Sequence, residues 1–325
     1  MIKHERLGSF RAACLLISAV ILVVPRVTAK PRIDVVTTLP DLAVIVQAVG
    51  GDRVAVYSIA RGYQDPHFVD AKPSHIMKLQ RADLFIQIGL DLEIGWAPSL
   101  LEGARNPNIL WGARGYVDAS KDIPLLQVPT LPAAQLRAEG DIHIYGNPHY
   151  WLDPENGKII ARNILEGLVR ISPDDAPYFR TNLDRFTEEL DTALEEWMDM
   201  MRPYGGTRII AFHNSWPYFE TRFGVTIAGF VEPKPGISPT PKHVMKTIEK
   251  MKREDIRVII ISPYYSPRIA RRIVNEVGGL LVELAPSVEG ARGVNSYFDL
   301  FDHNIRKLVE AFEEVRRETS SGGSE

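Results

Sequence analysis

Three histidines fall where the chain turns from a strand-like segment into a helical one. His67 lies in Asp65-Pro66-His67, and His149 in Asn147-Pro148-His149-Tyr150-Trp151-Leu152-Asp153-Pro154. His213 follows the apolar run Arg208–Phe212 and precedes Asn214-Ser215-Trp216. In open α/β sheets such loops converge beyond the strand C-termini, where ligands bind. Neutral imidazole offers one borderline-soft nitrogen lone pair, so three that converge form a site for a divalent transition-metal ion. The same three residues with an open position would also serve a hydrolytic zinc site, which needs a carboxylate base beside the bound water. No His-Glu-x-x-His pair is present, and the three residues lie 82 and 64 positions apart along the chain.

The remaining histidines read as structural. His75 opens a helix in Pro-Ser-His-Ile-Met, His243 follows Pro241 at a helix start, and His303 lies on the last helix. His4 belongs to the N-terminal segment.

The elements that must position the three follow a β-then-α pattern. Ile33–Thr38, Val54–Ala60 and Leu84–Gly89 are short β-branched or apolar runs, with a weaker one expected at Ile109–Trp111. Asp41 is a candidate N-cap for a helix to Val49, closed by Gly50-Gly51, and Pro73 begins a helix to Arg81. Continuous apolar strands alternating with helices argue for a parallel sheet covered on both faces. The pattern resumes with strands at Arg208–Phe212, Val225–Val231, Val258–Ser262 and Leu280–Leu284, and helices near 216–223, 240–253, 267–277 and 297–317.

Between the two series, residues 156–171 read as a helix, and Pro173 to about Tyr204 as a second. There Phe179, Leu183, Phe186, Leu190, Leu194 and Trp197 recur at helical spacing. About 30 residues at 1.5 Å each give roughly 45 Å, long enough to run beside both series. The expected architecture is α/β: two lobes, each a small parallel sheet flanked by helices, joined by one long rigid backbone helix. The boundaries are 30–155 for the first lobe, 156–205 for the connecting helices and 206–325 for the second lobe.

Composition bounds the functional class. Of 325 residues, 45% are apolar and 24% charged, a globular balance with a net charge of −3 and no basic excess to suggest nucleic acid. Residues 1–29 read as a signal peptide. Lys3, Arg6 and Arg11 precede a short apolar run from Ala12 to Val24, and Val27-Thr28-Ala29 offers a cleavage site after Ala29. The chain is therefore expected in the periplasm, with a net charge of −6. Cleavage removes the sole cysteine, Cys14, which opens the apolar run rather than following it, so lipid attachment is not expected. Thiolate ligands are then excluded, and any metal site must use His, Asp, Glu or water. No Gly-x-x-x-x-Gly-Lys-Ser/Thr loop occurs, so nucleotide hydrolysis is left to a partner.

These segments resemble the substrate-binding proteins of bacterial ABC importers for zinc and manganese, over nearly all of the chain after residue 29. Asp65-Pro66-His67 leading to Pro73-Ser74 looks like the family's first ligand segment. Asn147-Pro148-His149-Tyr150-Trp151-Leu152-Asp153-Pro154-Glu155-Asn156 is close to its most distinctive run, and Ala211-Phe212-His213-Asn214-Ser215-Trp216-Pro217 resembles the third. Asn295-Ser296-Tyr297 and Asn304 match its C-terminal helix. The resemblance implies metal ligands at His67, His149 and His213 and two β/α lobes joined by a rigid helix. It also implies a non-enzymatic monomer that delivers its ion to an inner-membrane permease driven by a separate ATPase.

One position departs from the family. Its frequent fourth ligand, an Asp after the last strand, is Ala285 here, in Leu284-Ala285-Pro286. Glu283, two residues back on the same strand face, or a water is left to complete the shell. Three imidazoles with water or one carboxylate suit tetrahedral Zn²⁺, whereas Mn²⁺ prefers more oxygen ligands. The Pro-rich segment 122–146 offers Asp141 and His143 as a transient capture site, against the plainer reading of a surface loop. An extracellular adhesin with a closed structural zinc site is the main alternative function, ahead of the hydrolase.

Overall fold

The computed structural model describes residues 32–130, 143–234 and 236–321. Residues 1–29, read above as a signal peptide, Asp141 and the last four residues of the tail lie outside the described residues. From Arg32 onward the chain forms one compact unit.

Two four-stranded parallel sheets are built with the same topology. β1 (Ile33–Thr37), β2 (Val54–Ser58), β3 (Leu84–Gln87) and β4 (Tyr116–Asp118) lie in the order β2-β1-β3-β4. β5 (Arg208–Ala211), β6 (Thr226–Phe230), β7 (Val258–Ile261) and β8 (Leu280–Glu283) repeat it as β6-β5-β7-β8. In each sheet the order reverses beside the first strand, which puts a switch point between β1 and β3 and another between β5 and β7. Loops leaving the strand C-termini there open a crevice.

Among the described residues the helices are α1 (Pro40–Gly50), α2 (Pro73–Arg81), α3 (Ala97–Ala104), α4 (Pro154–Ile171), α5 (Ala176–Met201), α6 (Pro217–Phe223), α7 (Pro241–Arg253), α8 (Arg268–Val277) and α9 (Tyr297–Ser321). Proline is the first residue of α1, α2, α4, α6 and α7, where its missing N–H costs nothing and its fixed φ suits a first turn.

Three apolar clusters explain how the elements are held. One covers the outer face of the first sheet with α2 and α3, through Phe85, Leu79 and Leu100. A second does the same for the second sheet with α7 and α8, through Ile210, Ile259 and Ile273. The third is continuous from Val35 and Ile86 of the first sheet to Ile209 and Ile260 of the second. α5 runs through it on a buried stripe of Phe179, Phe186, Leu190, Leu194, Trp197 and Met201. Its 26 residues span roughly 39 Å and pack against α1, α4 and α9. A shared dry core of this kind resists hinge motion between the sheets, because separating them would expose packed aromatic surface.

Two expectations need correction. Ile109–Trp111 is not a strand: Pro107–Ile109 is a 3₁₀ turn and Trp111 is 85% exposed. The fourth strand is Tyr116–Asp118, paired in parallel with Phe85–Gln87. Asp41 does not cap α1, which begins one residue earlier at Pro40 behind Leu39. Its carboxyl group instead accepts from Ser287 Oγ and, at 3.0 Å, from the Val288 N–H, tying α1 to the loop after β8. That loop also meets the chain after β2 at Gly62, where a Cβ would fall 1.8 Å from the Val288 carbonyl oxygen, so only glycine fits.

Candidate metal centre

The structure brings His67, His149 and His213 together, all three buried. One ring nitrogen from each lies within 4.8 Å of the others. Ring centroids are 5.3 Å apart for His67 and His149, 5.8 Å for His67 and His213, and 5.9 Å for His149 and His213.

Each ring is oriented by an oxygen at Nδ1. Asp65 Oδ1 lies 2.7 Å from His67 Nδ1, Asn147 Oδ1 2.9 Å from His149 Nδ1, and Glu232 Oε2 2.5 Å from His213 Nδ1. Asn147 Nδ2 donates to Gln127 Oε1 and the Asn214 carbonyl, so its oxygen must face the ring. All three partners are acceptors, which places the proton on Nδ1 and leaves each Nε2 with its lone pair. An outer shell that fixes tautomer and direction in this way is the usual support of metal-ligating histidine. His149 Nε2 is buried and makes no hydrogen bond. A bare buried acceptor costs free energy unless something binds it.

The local sequence explains these ties. In both Asx-Pro-His segments the Asx oxygen also accepts the histidine's own backbone N–H, at 3.0 Å in each case. Trp96 Nε1 holds the first turn through the Pro66 carbonyl at 2.9 Å. Around His149, Tyr218 donates to the Asn147 carbonyl, Tyr150 to Ile88 O, Trp151 to Pro286 O, and Tyr297 to Trp151 O. Asp153 caps α4 through the Glu155 N–H and is gripped by Arg222 of α6 at 2.7 and 3.0 Å. The conspicuous run 147–156 is thus a brace between the two sheets as well as the carrier of one imidazole. For His213 the register supplies the partner: β5 and β6 are parallel neighbours, and the Glu232 N–H donates to Phe212 O just past the strand ends.

Electrostatics suit a dication. Burial, and then the neighbouring His67 and His213, hold the His149 pKa well below its ordinary value, so its ring stays neutral. Burial alone would raise Asp65, but the hydrogen bonds it accepts from His67 outweigh it and keep this carboxyl group below the usual range. A cavity of about 260 Å³ lined by His143, Asn147, His213 and Glu232 adjoins the cluster.

His75, His243 and His303 lie outside the three-histidine group. His75 Nδ1 pairs with Tyr57 OH at 2.9 Å, His243 Nε2 donates to Phe230 O at 3.0 Å, and His303 is half-buried on α9. Glu283 does not complete the shell: it is exposed at the end of β8, and its charge is felt at His303. Glu232 escaped the sequence reading, because only sheet register brings it to His213. Asp65 and Asn147 had a legible signal, the repeated Asx-Pro-His.

The family model of ZnuA, the periplasmic component A of a zinc-uptake complex, matches residues 35–311. The chain belongs to this family. It is 25% identical over 292 residues to the manganese ABC transporter substrate-binding lipoprotein PsaA of Streptococcus anginosus, covering 87% of this chain and 90% of that one. With the metal ABC transporter substrate-binding lipoprotein FimA of Streptococcus parasanguinis it shares 24% over 291 residues, covering 87% and 90%. A crystal structure of ZnuA superposes with a TM-score of 0.71 at 22% identity, covering 86% of this chain and 99% of that one. The substrate-binding protein FpvC of Pseudomonas aeruginosa, in complex with Mn²⁺, gives 0.71 at 21%, covering 87% and 99%. These likenesses establish the fold of two parallel four-stranded sheets with flanking helices. As a ZnuA-family member the chain is a metal-binding substrate-binding component of an ABC transporter.

Proposed function

We propose that this chain captures Zn²⁺ outside the cytoplasm at His67, His149 and His213 and delivers it to an ABC permease powered by a separate ATPase. The observation that carries the reading is the common state of the three rings, each with Nδ1–H spent on an oxygen and Nε2 turned to a shared point. Nitrogen donors of this kind suit zinc at about 2.0–2.1 Å. Relatives are named for manganese as well as zinc, and it is the donor set of this chain that favours zinc. Asp65 and Glu232 are engaged in orienting imidazoles, which leaves neither to act as the base that a zinc hydrolase requires.

Extracytoplasmic placement follows from the family and from residues 1–29 read as a signal peptide. Among the described residues no helix is long and apolar enough to cross a membrane. With lobes at 30–155 and 206–325 sharing one core along α5, release proceeds by local movement of ligand loops and not by wide lobe opening. Metal-free protein should bind one equivalent of Zn²⁺ in a competition titration, and His67→Ala should abolish binding. Retention of that equivalent in the variant would refute the assignment.

A further inference from the structure

A fourth imidazole reaches the cluster. His143 Nε2 lies 3.0 Å from His67 Nε2, and its ring centroid is 5.1 Å from that of His67 and 6.1 Å from that of His149. These two spacings lie on either side of the 5.3–5.9 Å that separate the other three rings. Because His67 Nδ1 donates to Asp65, its Nε2 is an acceptor, and His143 Nε2–H is the donor of this contact. His143 therefore points the same nitrogen at the same lone pair that an ion would share.

The backbone holds it there. The Gly146 N–H donates to the His143 carbonyl at 3.4 Å, closing a turn, and Gly146 adopts a φ of +120° that a side chain would strain. The next residue, Asn147, donates its N–H to Leu126 O at 2.9 Å. The segment that delivers His143 is thus anchored to the residue that orients His149.

We propose that His143 is the fourth ligand of the ion held by His67, His149 and His213, in place of the carboxylate that Ala285 removes. The inference rests on the zinc-site reading above and specifies its coordination. Two nitrogens about 2.0–2.1 Å from a tetrahedral zinc ion are about 3.3 Å apart, so a shift of a few tenths of an ångström admits the ion between His67 and His143. On binding, the His143 proton moves from Nε2 to Nδ1 through solvent, and the Nε2 lone pair replaces the N–H that faced His67. The set becomes four neutral imidazoles, with Asp65 and Glu232 behind two of them to balance the ion's charge. Such a set holds no oxygen donor, which disfavours Mn²⁺.

X-ray absorption at the zinc edge on the zinc-loaded protein, with His143→Ala and His143→Asp beside it, tests the assignment. Four imidazoles are expected in the wild type, and three plus one oxygen in His143→Ala with affinity lowered by about tenfold or more. His143→Asp should restore four protein ligands and raise Mn²⁺ affinity relative to Zn²⁺. Three imidazoles in the wild type, or a spectrum and affinity unmoved by His143→Ala while His67→Ala abolishes binding, would overturn the fourth-ligand assignment alone. Zinc that fails to bind stoichiometrically even to the wild type would overturn the underlying site as well.

Discussion

Asn147 Oδ1 accepts both the backbone N–H and the ring Nδ1–H of His149, at 3.0 and 2.9 Å. One oxygen thereby sets the turn, the ring direction and the tautomer. Asp65 does the same for His67, at 3.0 and 2.7 Å. The proline between the two residues fixes φ there and has no N–H to compete for the oxygen. Two loops of different length and origin reach the same solution because the three-residue unit carries its own geometry.

Removing that oxygen should weaken the site without dismantling the fold. Asp65→Ala is expected to lower zinc affinity by about 10–100-fold, the usual cost of losing an outer-shell partner. Its thermal midpoint without metal should change little, since Asp65 lies in a loop and outside the apolar clusters. Calorimetric titration and a melt on the same sample would check both halves.

Replacing Ala285 by Asp should move selectivity toward manganese. Pro286 and Ser287 share with His149 the wall of a small cavity, and Ala285 directly precedes them in the chain. The Ala285 backbone is pinned on both sides by Asn304, at 2.8 Å each way, which should keep the loop in place. The ratio of Mn²⁺ to Zn²⁺ affinity is expected to rise in Ala285→Asp. An unchanged ratio would mean that the family position no longer faces the site.

Two buried groups give opposite pH slopes to the metal-free protein. His149 has a folded-state pKa well below 6.5, mainly through burial, so the unfolded chain takes up a proton that the folded one refuses. Stability is therefore lost as pH falls below about 6.5, and His149→Gln should flatten that limb.

Asp41 has its pKa raised to about 7 by burial, with a further push from Glu289 and against the pull of Ser287 and Val288. Here the folded chain binds the proton more tightly. Stability is then greatest below the ordinary carboxyl range and declines as pH rises through about 7. Thermal melts of Asp41→Asn should lose less midpoint than the wild type between about pH 5 and 8.

Much of this was legible before any coordinates. Short apolar runs such as Val258–Ile261 show parallel strands because buried strands need no polar alternation, and the Phe179-to-Trp197 stripe shows α5 because burial on one face leaves a helical period. The three histidines stood out because loops after strands are where such sheets bind ligands. What stayed hidden depends on three-dimensional register. Tyr116–Asp118 is three residues with a single apolar buried side chain, too short to show a period. α3 begins Ala97-Pro98 without a side-chain cap and so lacks a start signal. Glu232 meets His213 only because β5 and β6 end level, and His143 meets His67 only because a turn at Gly146 folds it back.

The central claim is that three oriented imidazoles hold a zinc ion. Its most direct test is a competition titration of metal-free protein with Zn²⁺ and Mn²⁺, run beside a His67→Ala/His149→Ala double variant. One equivalent of Zn²⁺ bound in preference to Mn²⁺ by the wild type, and none by the variant, is the predicted result. Preference for Mn²⁺, or an equivalent of Zn²⁺ retained by the variant, would contradict it.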